Sequence, residues 1–277
     1  MSITFLCFAL LDCGAKYMVK TLPVLQVVWL RFLFHAIFST SITAPHFAAG
    51  VLRTRRPRLQ LLRAMFMPVM TGLNFWALQY LQLAETGAIQ FSVPIIIALI
   101  AAPMLGERIG RDRWVAILVG FAGVLVIVRP GTQGFHPAIV LSIINAVLYA
   151  LYHLVTPQLA AHDSPETTQF YTSVGATLAI TPFAIAGWGA MPDAWQWTVL
   201  VLMGLAGGLG HYLLALAHRY APASVLAPFL YQQILWMVLL GYLVFGDVPD
   251  TTVVFGTAIV IASGAYLLYR ERSKRTG

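Results

Sequence analysis

The chain has 277 residues, of which 59% are hydrophobic and only 10% are charged, and its formal net charge is +7. A soluble globular domain carries roughly 25% charged residues, so this composition excludes an ordinary water-soluble fold and favours a membrane protein.

Ten apolar segments of about 20 residues, the length that crosses the hydrocarbon core of a bilayer, follow one another along the chain. The connections between them are too short to form a soluble domain. The composition and these segments together predict an all-α integral membrane protein with ten transmembrane helices. The predicted spans, one to ten, are Ser2–Val19, Leu22–Ala44, Leu59–Leu83, Thr86–Leu105, Arg113–Val128, Pro137–Pro157, Thr167–Trp188, Ala194–Ala217, Ala221–Phe245 and Thr251–Tyr269.

The first span is predicted to be a transmembrane helix and not a signal peptide. It lacks a basic leading region and a small-residue cleavage site, and nine more spans follow it. It is barely long enough to cross a bilayer, so a natural start upstream of Met1 stays open. Cys7 and Cys13 are six residues apart on this helix and point in different directions, so no disulfide between them is expected.

The basic residues are distributed unequally between the two predicted sides. Lys16 and Arg31 fall inside spans, and only Lys20 and Arg129 fall on the side opposite the N-terminus. The positive-inside rule therefore predicts that both termini are cytoplasmic. The basic excess then reports topology, and no nucleic-acid partner is expected. The thirteen on the N-terminal side are Arg53, Arg55, Arg56, Arg58, Arg63, Arg108, Arg111, Arg113, Arg219, Arg270, Arg272, Lys274 and Arg275.

A short phrase occurs twice. "PMLGERIG" ends the fourth span with Gly106 and Glu107, and "LVFGDVPD" ends the ninth with Gly246 and Asp247, 140 positions later. Two homologous units of five spans, residues 1–130 and 136–272, are therefore predicted. Because five is odd, the units run through the membrane in opposite directions, and such inverted repeats enclose a central cavity with a site near the midplane.

These repeated segments resemble the drug/metabolite transporter superfamily, in particular its EamA-type ten-helix exporters. The resemblance rests on "ETGAIQFSVP" to "LGER" and "APASVLAPF" to "FGDVPD", and it covers essentially the whole chain. It implies secondary transport of small metabolites, and YddG-type exporters of aromatic amino acids are the nearest subgroup. It also implies that the fifth and tenth helices are peripheral. One departure is Asp247, where the usual acid is glutamate.

Polar residues recur on single helix faces. In the sixth span Ser142, Asn145, Tyr149, His153 and Thr156 are spaced three or four apart. Such a stripe lines either a wet substrate pathway or a hydrogen-bonded seam between helices. Further cavity candidates are Asn74, Trp76, Tyr80, Gln90, His211, Tyr231, Gln232 and Trp236. Each aromatic ring is by itself compatible with packing, but together they suit a planar apolar ligand with a polar group.

Ionisable residues within the spans are candidates for gating or coupling. Asp12 and Lys16 lie four residues apart on the first helix. They form either a gate, a proton-coupling site or a mutually neutralised structural pair. Arg31 binds an anionic ligand group or pairs with Asp12. A phosphate-rich solute would require more cations than these, so neutral, zwitterionic or lipophilic cationic cargo is favoured.

Other readings of the sequence are weaker. "GLAGGLGH" lacks the strand and the Lys-Ser/Thr ending of a phosphate loop, and Gly204 and Gly208 are expected to allow a close helix approach or a bend. No metal-ligand spacing occurs, so no metal or cofactor is expected.

The sequence predicts a transporter, not an enzyme, that exports aromatic or neutral amino acids and related metabolites by alternating access. Its expected partners are the solute and membrane lipid, and a monomer is compatible with the pattern. The alternatives are a multidrug or lipophilic-cation exporter and, in a different class, an intramembrane enzyme or lipid-handling protein.

Overall fold

The computed structural model describes residues 1–45, 52–104, 111–129, 135–160, 162–220 and 232–276. Every regular element in these residues is a helix. Gly106, Glu107 and Tyr231 lie outside the described residues. The helices are α1 (Ser2–Met18), α2 (Val24–Thr43), α3 (Pro57–Leu78), α4 (Leu83–Gln90), α5 (Val93–Met104), α6 (Arg111–Val128), α7 (Ile139–Ala160), α8 (Pro165–Ala186), α9 (Ala194–Tyr220), α10 (Gln232–Leu240) with a π-turn at Gly241–Phe245, and α11 (Thr251–Thr276).

Four helical segments within the described residues are long and apolar enough to cross a membrane by length and composition. They are Val24–Thr43, Pro57–Leu78, Ile139–Thr156 and Ala194–Ala217. Shorter apolar helical segments occur at Leu83–Ile97, Trp114–Val128, Gln232–Phe245 and Thr251–Tyr266. The chain is therefore an all-helical protein with several membrane-crossing helices, while the full count of ten stays a prediction.

The predicted fourth span is not one continuous helix. Its first half is α4, which begins three residues before the predicted start because Gln82 and Glu85 form a capping box, with Gln82 N donating to Glu85 Oε2 at 2.8 Å. After Gln90 the chain makes a turn and restarts as α5, where Pro94 has no N–H to continue the α4 hydrogen-bond pattern. The third predicted span correspondingly ends at Leu78, before Leu83. The break leaves Gln90 at a helix end inside the bundle.

Two glycines allow α9 to pack closely against α2, as predicted. A Cβ at Gly204 would lie 3.1 Å from the carbonyl oxygen of Arg31, and one at Gly208 would lie 2.5 Å from Cδ1 of Phe38. Larger residues would therefore push α9 away from the helix that carries Arg31 and His35. This approach is one reason why Arg31 is only 2% exposed.

Helices α6 and α11, the fifth and tenth predicted spans, pack mainly against each other. A Cβ at Gly123 would lie 3.0 Å from the carbonyl oxygen of Gly256, so the two backbones are nearly in contact. Phe121 on α6 and Phe255 on α11 are 58% and 62% exposed. Exposed aromatic rings on such a helix pair suit contact with lipid chains, in agreement with the peripheral position that the resemblance implies.

Side chains join the two halves of the chain at loops near opposite ends of α2. Gln26, at the start of α2, donates to the carbonyl oxygen of Ala190 at 2.9 Å and accepts from the N–H of Gly189 at 3.0 Å. Asp163, before α8, accepts from the N–H of Arg55 at 3.0 Å and from Gln60 Nε2 at 2.8 Å. Both contacts connect segments more than 100 residues apart in the sequence, so they hold the halves together.

Candidate functional site

A cavity of about 140 Å³ lies between α1, α2, α3, α4, α7, α9 and α10. Its wall is made largely of residue pairs four apart, which share one face of a helix. Seven predicted site residues lie in this wall: Asp12, Arg31, Asn74, Gln90, Asn145, Tyr149 and His211. Of the polar stripe predicted in the sixth span, Asn145 and Tyr149 lie in this wall.

The acid and the base of the cavity have different partners. Asp12, 8% exposed, accepts a hydrogen bond from Asn74 Nδ2 at 2.9 Å. Arg31 is 2% exposed, and within the described residues its Nε and Nη1 have no hydrogen-bond partner; its Cζ lies 4.1 Å from the centre of the Phe32 ring. A buried guanidinium with unused donors is energetically unfavourable unless an anionic group meets it.

Lys16 does not neutralise Asp12, although it lies one turn further along α1. Its Nζ is 2.5 Å from Asp247 Oδ2, which follows the π-turn. The hypothesis that Asp12 and Lys16 neutralise each other is therefore wrong, because Lys16 forms its ion pair with Asp247. Asp247 is presented there by Gly246, whose φ of +71° favours glycine.

Two amide oxygens in the wall have no hydrogen-bond partner in the part of the chain that the structure describes. Asn145 on α7 is 4% exposed and its Oδ1 accepts no hydrogen bond, and the same is true of Gln90 Oε1 at the end of α4. Together with Asp12, these atoms offer hydrogen-bond acceptors on three different helices. A ligand that carries several donors would satisfy them.

A polar cluster supports the site behind Arg31. His35 is fully buried, and its Nε2 lies 2.6 Å from Gln169 Nε2, which also donates to the carbonyl oxygen of Gly208 at 3.0 Å. The rings of His35 and His211 are parallel, with centres 5.9 Å apart. His211 thus lines the cavity and also packs on the buried ring of His35.

Several predicted site residues lie outside the cavity wall. Trp76 is 39% exposed, and Tyr80, 62% exposed, stacks on His136 with ring centres 5.0 Å apart. The expectation that these two rings face the cavity is wrong, because Trp76 lies on a different face of α3 from Asn74 and Tyr80 follows the end of the helix. His153 packs edge-on against Tyr149, and Trp236 packs against the buried apolar core. Gln232 is also absent from the wall, where its neighbour Gln233 lies.

Three polar lining residues were missed by sequence reasoning: Thr71, Thr86 and Gln233. Helical spacing was a usable signal for two of them, since Thr71 precedes the candidate Asn74 by three residues and Thr86 precedes the candidate Gln90 by four. Arg63 was also misplaced. The sequence placed it among the basic residues on the predicted cytoplasmic side, but it is 5% exposed and donates hydrogen bonds to Thr172 and Tyr152. The described spans therefore contain a third buried cation.

Comparison with known proteins gives a consistent result. The model of the EamA-like transporter family matches residues 1–129 and again residues 136–270. A riboflavin transporter of Vibrio cholerae is 33% identical over 80% of this chain and 75% of its own length. An S-adenosylmethionine uptake transporter of Rickettsia prowazekii is 25% identical over 94% of this chain and 88% of its own. A pseudopaline exporter of Pseudomonas aeruginosa is 26% identical over 92% of this chain and 90% of its own.

A solved crystal structure of another protein shares the fold, with a TM-score of 0.67 at 20% identity and 98% coverage of both chains. The apolar helices and the cavity between them define a multi-pass membrane protein. The chain belongs to the EamA-like transporter family.

Proposed function

We propose that this transporter carries amino acids and related metabolites that bear an amino-acid head group. Two inverted five-helix repeats, residues 1–130 and 136–272, alternate in opening the site to the two sides of a bacterial inner membrane. Both termini are cytoplasmic, and export is the predicted direction. The double match of the family model supports the two-repeat organisation.

The observation that carries this proposal is the state of Arg31. It lines the cavity, it is 2% exposed, and two of its guanidinium nitrogens have no hydrogen-bond partner among the described residues. A carboxylate is a strong partner for a guanidinium because their hydrogen bonds are charge-assisted and can be bidentate. A lipophilic cation would leave Arg31 buried and unpaired, so this alternative is disfavoured.

The apolar part of the wall supports a solute with a ring or a large side chain. Phe8, Phe75, Phe91 and Tyr149 line the cavity beside the polar groups. Aromatic rings gain about 0.5–1.5 kcal/mol from pairing geometry beyond burial. S-adenosylmethionine, the solute named for the Rickettsia relatives, joins an amino-acid head group to a planar base and fits this division.

The size of the cavity supports movement of the helices. At about 140 Å³ it is smaller than the roughly 300–1,000 Å³ of sites for drug-sized ligands. A solute with a planar base therefore requires the surrounding helices to separate. Such separation around a midplane site is the movement expected of inverted repeats.

The test is transport by the purified protein in liposomes. Labelled phenylalanine and labelled S-adenosylmethionine are supplied inside in one set and outside in the other, which also determines direction. We expect transport of at least one, and competition by amino acids over sugar phosphates. Riboflavin has no carboxylate, so it should compete with the labelled solute only weakly if recognition uses Arg31. Transport of riboflavin alone would contradict the proposal. Chemical conversion of the solute would favour the intramembrane enzyme.

A further inference from the structure

The cavity holds two opposite charges that do not bond to each other. Within the described structure Asp12 is bonded to Asn74, while Nε and Nη1 of Arg31 are unpaired. Lys16, the nearest cation along α1, is occupied by Asp247. Asp12 and Arg31 therefore face one cavity from α1 and α2, and each keeps capacity for a charged ligand group.

The hydrogen-bonding groups of the wall also fall into acceptors and donors. The unpaired atoms of Asn145 and Gln90 are amide oxygens, which accept hydrogen bonds, whereas the unpaired atoms of Arg31 donate them. Asn145 is 4% exposed, so solvent does not satisfy its oxygen. A primary ammonium has three N–H donors, and the carboxylate of Asp12 with these two amides supplies three acceptors.

We propose that Asp12, Asn145 and Gln90 form an ammonium subsite, and that Arg31 holds the carboxylate of the same head group. Asn74 is a positioning residue, because its hydrogen bond to Asp12 Oδ1 directs the carboxylate of Asp12 while leaving its other oxygen for the ligand. This inference rests on the proposed function and adds the orientation of the solute: its amine faces α1, α4 and α7, and its carboxylate faces α2.

The arrangement selects for zwitterions. A ligand with only an amine leaves Arg31 unpaired, and a ligand with only a carboxylate leaves Asp12 unpaired. An unpaired buried charge is strongly unfavourable, so each type of single-charge ligand binds more weakly than the zwitterion. Removing one of the two protein charges relieves this penalty for only one type of ligand.

The experiment uses three ligands of similar shape: phenylalanine, 2-phenylethylamine, which lacks the carboxylate, and 3-phenylpropionate, which lacks the amine. Half-inhibition concentrations are measured in liposomes against whichever labelled solute the wild type transports. Asp12→Asn should weaken phenylalanine and phenylethylamine at least tenfold and leave phenylpropionate unchanged or improved. Arg31→Gln should show the reverse selectivity between the two single-charge ligands.

Equal losses for all three ligands in Asp12→Asn would overturn the ammonium subsite. They would leave the proposed function intact, since that fails only if the wild type carries no solute with an amino-acid head group. Ligand-induced shifts of the unfolding temperature in detergent give the same comparison by binding alone, so a transport defect does not hide the result.

A second variant covers a failure of Asp12→Asn to fold. Asn74→Ala keeps the charge of Asp12 but removes its hydrogen bond, and should raise the half-saturation concentration of amine-bearing solutes while 3-phenylpropionate is unaffected. The matched control is Gln79→Ala, at the end of the same helix. This variant also removes an amide, whose Nε2 donates to the carbonyl oxygen of Val19 at 3.0 Å. Equal effects of both variants on all three ligands would assign Asn74 a purely structural role and overturn the positioning claim.

Discussion

Lys16 Nζ on α1 lies 2.5 Å from Asp247 Oδ2, although 231 positions separate the two residues in the sequence. The side chains are 9% and 23% exposed, so the pair is largely shielded from water. The ring of Phe245 lies beneath the same ammonium, 4.9 Å from Nζ to its centre. The acid of the second repeated phrase therefore joins the two halves of the chain and lies away from the cavity wall.

The first prediction concerns this ion pair. Asp247→Asn leaves the charge of Lys16 shielded and without its partner, so the free energy of unfolding should fall. The loss should be smaller than the roughly 3–5 kcal/mol seen when fully buried pairs are broken, because Asp247 is partly exposed. Lys16→Met/Asp247→Leu should be more stable than either single variant. Thermal unfolding in detergent measures both. Asp250→Asn, in the more exposed pair with Arg129, is the control and should have a smaller effect.

The same variants test what the repeated acids do. We expect Asp247→Asn, and likewise Glu107→Gln in the first phrase, to change transport rate or folding yield without reordering the competing solutes. A changed order of competitors with normal yield and rate would place these acids in the binding site.

The second prediction concerns topology. Single cysteines at Arg55 and Val248, both exposed, are introduced into a chain in which the buried Cys7 and Cys13 are replaced. The excess of basic residues on one side predicts that only the cysteine at position 248 is labelled by an impermeant reagent added outside. Labelling of both from outside would contradict the inverted repeat.

The third prediction concerns the aromatic wall. Tyr149→Leu keeps apolar bulk but removes a ring from the cavity, so aromatic amino acids should compete up to about tenfold less well, while small aliphatic ones change little. Trp236→Ala should instead lower the unfolding temperature and affect both solute classes equally, since Trp236 packs against the apolar core. Half-inhibition concentrations decide between these outcomes. A selective aromatic loss in Trp236→Ala would restore this residue to the site.

The fourth prediction is a pH dependence at the connection between the loop before α3 and the start of α8. Partial burial raises the pKa of Asp163, but hydrogen bonds from Thr54, the Arg55 N–H and Gln60 outweigh this effect and hold the pKa below its ordinary value. A lowered pKa in the folded state stabilises the protein above the unfolded value of about 3.9, and this contribution is lost as the pH falls through the folded pKa.

The stability difference between the wild type and Asp163→Asn should therefore be constant from neutral pH to about pH 5 and shrink below about pH 4. Thermal unfolding in detergent across this range measures it. Thr54→Ala removes one donor and should reduce the difference without abolishing it. A difference that grows on acidification would contradict the assigned direction of the pKa shift.

The sequence by itself was sufficient for the class of protein. Membrane helices reveal themselves locally, because each must be apolar over the thickness of the bilayer, and the helical period shows which polar residues share a face. Asn145 and Tyr149 were identified from this period, whereas Asp12, Asn74 and Gln90 were identified as polar residues within apolar spans. The repeated phrase and its context likewise indicated the EamA-like family.

Which charges meet was decided only by the tertiary structure. Nothing in the spacing of Asp12 and Lys16 shows that Lys16 pairs with Asp247, since that contact depends on how α1 packs beside the end of the ninth span. Arg63 was predicted to be one of the cytoplasmic basic residues, but it is buried against α7 and α8, where it donates to Tyr152 and Thr172. Periodicity assigns a side chain to a face, whereas long-range packing decides which neighbour that face meets. Within the described residues, this packing leaves Nε and Nη1 of Arg31 without hydrogen-bond partners beside the cavity.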